Sequence, residues 1–418
     1  MRVLFIYPYV PYPLTSGAHQ RAFHLLREIG RRHDVFLFAL SHSQRNREFL
    51  SIFRDFCAEI LWTDFSHPPW APLARRILSR TPLTVNHWHD ARAKEALKDF
   101  ARRFPADVIH IEDLVMMQYI SALECLTPVV LDRTRVDFSY QLCARRIKSR
   151  SFPQSLSQVE NLFKLYLYEK RVSKAVNHYV VCCEEDARFI RRVISSRVPI
   201  TVIPNGVDLG FFDGSAPQAS LAGQEAILTF VGGMDYLPNG DGVKWFFEAI
   251  YPVVTKVVPH LRVFIVGTNP APALHKFSAF PGVTFTGLVP DVKPYYSKCT
   301  VFIAPIRLGG GSRLKIVEAM AMGRPVVSTT VGCEGLRVTD GENVLLADDC
   351  ATFAKKIVAL LSDEALRRRI GEGGKRLVEK YYTWPVLADK YEQVYRDTAG
   401  VLTTRNRERV ILGAVTDV

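Results

Sequence analysis

The stretch Thr300-Val301-Phe302-Ile303-Ala304-Pro305-Ile306-Arg307-Leu308-Gly309-Gly310-Gly311-Ser312-Arg313-Leu314-Lys315-Ile316-Val317-Glu318-Ala319-Met320-Ala321-Met322 changes periodicity twice. Its apolar opening, Thr300 to Ala304, reads as a buried strand, and from Arg313 to Met322 the apolar residues fall at helical spacing. Between them stand three consecutive glycines. A strand, a glycine turn and a helix start, in that order, make a seat for an anion. Glycine lets the backbone approach a bound group without interference from Cβ, and the unpaired N–H groups of the first helical turn point at it. Arg313 and Lys315 add two cations beside that turn. Glu318, one turn further on, can accept hydrogen bonds from sugar hydroxyls, so phosphate and ribose could be held together. A plain loop entering a surface helix has the same local pattern, and the rest of the chain has to separate the two.

A chain of 418 residues exceeds what one hydrophobic core supports, so two domains are expected. Hydrophobic content of 48% and charged content of 23% fit a globular protein and exclude disordered and fibrous classes. There is no apolar run long enough to span a bilayer, and Met1-Arg2-Val3-Leu4-Phe5-Ile6-Tyr7 enters a strand pattern directly instead of a cleavable leader. A cytoplasmic protein is expected. The eight cysteines show neither CxxC nor zinc spacing and read as reduced core residues, with no metal site. A net charge of +12 calls for an anionic partner: a nucleotide substrate, an anionic lipid surface or nucleic acid. Nucleic acid is the weakest of these, because no RRM, KH or helix-turn-helix pattern occurs and the basic residues are scattered.

Strand and helix patterns alternate outward from the opening stretch, which means parallel sheets with crossover helices. Arg2 to Tyr9 is a strand that runs through the proline cluster Pro8 to Pro13 to Thr15-Ser16-Gly17 and a helix. Strands at Asp34 to Leu40, Glu59 to Trp62, Asp107 to Ile111, Pro128 to Asp132, His178 to Cys183 and Ile200 to Ile203 follow, with helical patterns between them. A second series begins at Ala226 to Val231 and continues through Arg262 to Gly267, Val283 to Phe285, Val301 to Ala304, Pro325 to Thr329 and Asn343 to Leu346. The expected division is an N-terminal domain 1–208, a linker 209–224, a C-terminal domain 225–385, a helix 386–398 crossing back to the N-terminal domain, and a mobile tail 399–418. Each domain would offer the carboxyl ends of its strands to a ligand bound between them.

Several motifs agree with one family. They are the Gly17 turn with Arg21 and Leu25-Leu26, Asp107-Val108-Ile109-His110, Val202 to Asp208, and Phe230-Val231-Gly232-Gly233-Met234. Phe285-Thr286-Gly287, the glycine seat, Ala319 to Val327 and Tyr382-Thr383-Trp384 complete the set. In this order, over about Met1 to Tyr395, the chain resembles the family 4 glycosyltransferases of the GT-B fold. It looks particularly like bacterial members linked to exopolysaccharide and exosortase gene clusters. The resemblance implies an α/β architecture of two Rossmann-like parallel-sheet domains facing an interdomain cleft. It also implies retaining, metal-independent sugar transfer from a UDP- or GDP-linked donor, a substrate and not a cofactor. On these positions Glu318 would hold the donor ribose, the backbone at Gly287-Leu288-Val289 would read the base, and Arg313 and Lys315 would face the diphosphate. The Gly17 turn would close on it from the other domain, and Gly233 would line the donor side. Cations and helix N–H groups placed at a departing nucleoside diphosphate stabilise the transition state more than the ground state.

The chain departs from the family in three places. Glycine stands at Gly310, where the first of two glutamates is usual, so contact with the donor sugar would fall to the backbone of Gly310, Gly311 and Ser312. Gly233 to Asn239 replaces the usual Arg and Lys after the first strand of the C-terminal domain, which raises the load on Arg313 and Lys315. Asp132-Arg133 stands where many members have a histidine, so Asp132 could orient an acceptor or donor hydroxyl.

Other residues have two readings each. His110 with Glu112 fits an acid/base pair on the acceptor side or a hydrogen-bonded strand edge, and Asp132 and Asp137 fit acceptor contacts or turn caps. Asn205 and Asp208 fit an interdomain turn, and Glu334 a diphosphate loop or a helix cap. The segments 69–80 and 145–150 put apolar residues beside cations, as in proteins that rest on an anionic membrane surface without crossing it. The functional expectation is a glycosyltransferase acting on a glycan or lipid-linked acceptor in surface-polysaccharide or glycoconjugate synthesis, peripheral on the inner face of the cytoplasmic membrane. A catalytically idle nucleotide- or glycan-binding relative and a sugar-nucleotide epimerase are its rivals.

Overall fold

The computed structural model describes residues 1–42, 48–67, 79, 81–123, 127–134, 136, 152–212, 226–268, 272–308 and 313–415, with backbone alone for 152–158 and 401–415. The chain divides into two compact units, one of Met1–Ile203 with Leu387–Val418, the other of Pro204–Val386. Each is built on one parallel sheet. The first unit orders seven strands β3-β2-β1-β4-β5-β6-β7. In chain order these are β1 (Arg2–Tyr7), β2 (Asp34–Ser41), β3 (Glu59–Asp64), β4 (Val108–Glu112), β5 (Val129–Arg133), β6 (His178–Val181) and β7 (Ile200–Val202). The second orders six strands β10-β9-β8-β11-β12-β13. These are β8 (Ile227–Val231), β9 (Arg262–Val266), β10 (Val283–Gly287), β11 (Val301–Ala304), β12 (Val326–Ser328) and β13 (Leu345–Leu346). The two parallel-sheet α/β units have the Rossmann-like architecture of the GT-B fold.

Helices cover both faces of each sheet, so the central strands carry no polar alternation. Val3 to Tyr7 and Val301 to Ala304 are buried throughout. Pro204 to Asp208, expected to close the N-terminal domain, goes with the second unit because the Val207 N–H donates to Tyr382 O at 2.8 Å. The C-terminal helix also differs from expectation. It runs over Trp384–Val415, with Pro385 in its first turn, and enters the first unit at Leu387. No further proline follows to stop it, and Gly400 and Gly413 cost a helix interior only about 1 kcal/mol each. The part expected as a patternless tail is therefore helical to Val415.

This helix changes the reading of Asp132 and His110. Asp132 is the last residue but one of β5, and Arg21, on the helix Gly17–Gly30, grips the carboxylate with Nε and Nη2 at 3.0 Å each. The Tyr391 hydroxyl donates to the same carboxylate, and the Tyr395 hydroxyl lies 2.8 Å from His110 Nδ1. Asp132 and His110 are both 1% exposed. Burial pulls His110 down to about 4, against the attraction of Asp132, so its ring is neutral at neutral pH. The contacts seen here are structural: a buried ion pair and two tyrosines fasten the C-terminal helix to the first sheet. Asp132→Ala leaves Arg21 buried without its carboxylate and should cost about 3–5 kcal/mol in denaturant unfolding followed at the first unit. A loss under about 1 kcal/mol would show that Arg21 reaches solvent and that the pair is not structural.

Candidate functional site

All strands of the second sheet are parallel, so their carboxyl ends share one edge. The strand order reverses between β8 and β11: the chain steps outward from β8 through β9 to β10, then returns to place β11 on the other side of β8. Connections leave these two neighbours in opposite directions, which opens a crevice at the carboxyl edge of the sheet.

Residues from three connections converge there. Lys315 lies in the first turn of the helix Leu314–Ala321, which follows β11. Its Nζ sits 4.2 Å from the centre of the Phe230 ring of β8 and donates to Asn239 Oδ1 at 2.6 Å. Asn239, buried in the first turn of the helix Leu237–Trp245, returns Nδ2 to Gly233 O at 2.8 Å. One amide thus joins the exit of β8 to the lysine delivered by β11. Gly232 makes this approach feasible, since a Cβ there would lie 2.6 Å from Lys315 Nζ and 2.7 Å from Asn239 Nδ2. Burial, with the neighbouring Arg313 charge, pulls the Lys315 ammonium down to about 7 against the opposing attraction of Glu318.

Arg313 immediately precedes the helix and is buried, with its Nη2 donating to Leu308 O at 3.1 Å. The guanidinium thereby joins the residues flanking 309–312. Gly310, Gly311 and Ser312, which the sequence assigns to the donor, lie outside the described residues, as does Asp137. Glu318 is buried one turn into the helix, and its Oε2 accepts from the Tyr296 hydroxyl at 2.7 Å. Tyr296 also donates to Lys315 O at 3.3 Å, so one phenol sets both the carboxylate and the helix start. Gly287 ends β10 with φ +69°, accepts the Gly267 N–H at 3.2 Å, and presents Leu288, 78% exposed, on the same edge.

On the first unit, Gly17 opens its helix behind Ser16, whose Oγ caps the His19 N–H at 3.2 Å. The His19 ring stacks on Tyr9 with centroids 4.4 Å apart, and the Tyr9 hydroxyl donates to Glu112 at the end of β4. Burial is the main cause that pushes Glu112 up to about 8, leaving the acid neutral at pH 7. His110 and Glu112 share a strand but have separate partners, Tyr395 and Tyr9, and do not form the acid/base pair weighed from sequence. Among the described residues no group of three or more His, Cys, Asp or Glu side chains is arranged to hold a metal ion.

Sequence reasoning passed over Asn239 and Tyr296. Asn239 had one usable signal, a Leu-Pro-Asn helix start three strands of sequence away from the lysine it binds. Tyr296 had none, since an aromatic residue in a short helix reads as core. Gly232→Ala should push the Lys315 amine and the Asn239 amide off their present positions while the sheet stays folded. The expected result is a nucleoside diphosphate affinity reduced about tenfold in calorimetry, with thermal unfolding changed by only a few degrees. Unchanged affinity would remove this lysine from the site.

Comparison with known proteins places these two edges in context. A model described as Glycosyltransferase Family 4 matches residues 15–211, and one described as Glycosyl transferases group 1 matches residues 225–363. The chain is 32% identical to the phosphatidyl-myo-inositol mannosyltransferase of Mycobacterium leprae (strain TN) over 207 residues, 47% of this chain and 53% of that protein. It spans about half the length, or less, of the first curated relatives it matches. Among solved structures, sucrose-phosphate synthase from Thermosynechococcus elongatus superposes with a TM-score of 0.71 over 95% of this chain and 99% of its own, at 18% identity. Anabaena HepE in complex with UDP-glucose gives 0.66 over 95% and 100%, at 14% identity. At these identities the likeness is one of fold. With the two family models following one another along residues 15–211 and 225–363, the chain belongs to the family 4 glycosyltransferases, and the structural neighbours, matched almost end to end, give its fold as GT-B.

Proposed function

We propose that this protein transfers a glycosyl group, with retention of configuration, from a UDP- or GDP-linked sugar to a lipid-linked or oligosaccharide acceptor in surface-polysaccharide or glycoconjugate synthesis. The donor is held at the carboxyl edge of the second sheet and the acceptor by the first unit. The observation that carries this reading is the placement of Lys315. Its ammonium is half-buried at the strand-order reversal and aligned by Asn239, beside the first turn of a helix whose carboxylate, Glu318, is fixed by Tyr296. The mannosyltransferase relative and the UDP-glucose complex of HepE support it.

In this reading Glu318 accepts the ribose hydroxyls, and the backbone at Gly287 and Leu288 meets the base. Lys315, with the N–H groups of the helix start, faces the diphosphate, while Arg313 holds the flanks of the glycine turn. As the glycosidic bond breaks, negative charge grows on the leaving diphosphate. An ammonium already aligned and partly stripped of water stabilises that charge with little reorganisation. Cations of the chain take this role, so transfer should persist in chelator.

An idle nucleotide-binding relative is the alternative, favoured by one observation, the glycine at Gly310. Donor turnover by wild type and Lys315→Ala separates the two: wild type should exceed the variant by about a hundredfold or more. Equal, background turnover in both supports the idle binder, and an epimerised free nucleotide sugar formed without acceptor supports an epimerase.

The pH dependence follows from Lys315. Its ordinary pKa is about 10.4, and here it lies near 7 in the unliganded protein. A diphosphate favours the charged amine, so affinity should be greatest below pH 7 and weaken as pH rises through that value, by up to about tenfold per unit. Calorimetry of the wild type should show this slope and proton uptake, and Lys315→Met should bind more weakly with a flat profile. A flat wild-type profile would contradict the assignment.

A further inference from the structure

Over 159–172 the helix Phe152–Val172 of the first unit buries one face and leaves large apolar side chains exposed on the other. Leu162, Leu165 and Tyr168 enter the core, and Glu169 pairs with Arg133 at 3.0 Å inside it. On the opposite side Val159, Phe163 and Leu167 are 43%, 59% and 42% exposed. Residues four apart in a helix lie one above another, so these three form a single apolar stripe. Lys170 continues it after one further turn and Lys174 follows just past the helix end; both are exposed, as is Arg171 beside them. Glu160, which follows Val159 on this helix, is paired with Lys164 at 2.5 Å.

We infer that this face is a docking surface for an anionic lipid bilayer, which inserts Phe163 and its apolar neighbours at the level of the headgroups while Lys170, Arg171 and Lys174 meet lipid phosphates. A stripe of exposed large apolar side chains running into a group of cations is the pattern of a helix lying in a membrane interface. Charge favours that occupant over a second copy of the chain. Two such faces brought together would oppose like cations in a protein of net charge +12, and three apolar side chains fall well short of the roughly 800 Å² per partner of a stable interface. The membrane segments read from sequence, 69–80 and 145–150, are not used here: most of the first and all of the second lie outside the described residues. The inference rests on the proposed reading only in that a lipid-linked acceptor would lie on such a surface.

The test is co-sedimentation of the full chain with phosphatidylcholine vesicles, with and without about one-third phosphatidylglycerol. Wild type should bind the anionic vesicles, release on raising salt, and bind the neutral ones far less. The double variant Phe163→Ser, Leu167→Ser should lose about tenfold in apparent affinity while keeping its far-ultraviolet dichroism and its thermal response to UDP or GDP. Absence of binding by wild type, or equal binding by wild type and variant, overturns the inference. A wild-type dimer that the variant converts to monomer also overturns it and assigns the stripe to a second copy. A protein that binds vesicles through this stripe yet responds to no nucleotide upholds the docking surface while sinking the transferase reading.

Discussion

The ammonium of Lys315 is held between an aromatic face and an amide oxygen, and both contacts need a backbone without a side chain at Gly232. This constraint ties together three parts of the second unit that are far apart in sequence: the exit of β8, the start of the helix Leu237–Trp245 and the start of the helix Leu314–Ala321. Each has an independent reason to be where it is. β8 and β11 are neighbours because the strand order reverses there, and parallel pairing sends both exits to one edge. Asn239 then bridges the exits, and the lysine is aimed by the fold before any ligand arrives. The amine loses water in that position and its affinity for a proton falls with it. On the proposed function a bound diphosphate would reverse that loss, and proton uptake would be part of donor recognition.

The first unit spends its strongest buried charges differently. Arg21 and Asp132 form a two-pronged pair buried from solvent; from the last helix of the chain Tyr391 reaches the carboxylate and Tyr395 reaches His110. A buried pair of this kind adds little net stability compared with an apolar substitute, but removing one partner is costly. Its effect is therefore on geometry: the C-terminal helix has one place to lie. His110, beneath Tyr395, stays neutral and belongs to this fastening.

Much of the fold was legible because parallel sheets covered on both faces announce themselves as short apolar runs separated by helical spacing. Thr300 to Met322 and Met1 to Ile29 each show this pattern without tertiary information. The strand Val301–Ala304 and the helix Leu314–Ala321 on either side of the glycines were legible for the same reason, since they are contiguous in sequence with Arg313 and Lys315. What sequence could not supply was pairing across distance. Asp132 looked like a site residue because, on the resemblance, it stands where many members have a histidine. Its partners are separated from it by most of the chain, and nothing local marks Tyr391 as the group that covers it. Asn239 was missed in the opposite direction: it replaces residues the resemblance led one to expect, so it registered as a loss, whereas in space it positions the lysine.

Thermal unfolding of the wild-type chain against a panel of nucleoside diphosphates and their sugars tests the central claim most directly. A ligand that binds only the folded state raises the melting temperature with its concentration. The expected result is a saturable rise with UDP or GDP and with the matching nucleotide sugars, centred on the transition of the second unit. No response to any nucleoside diphosphate, at concentrations up to several millimolar, would contradict the account.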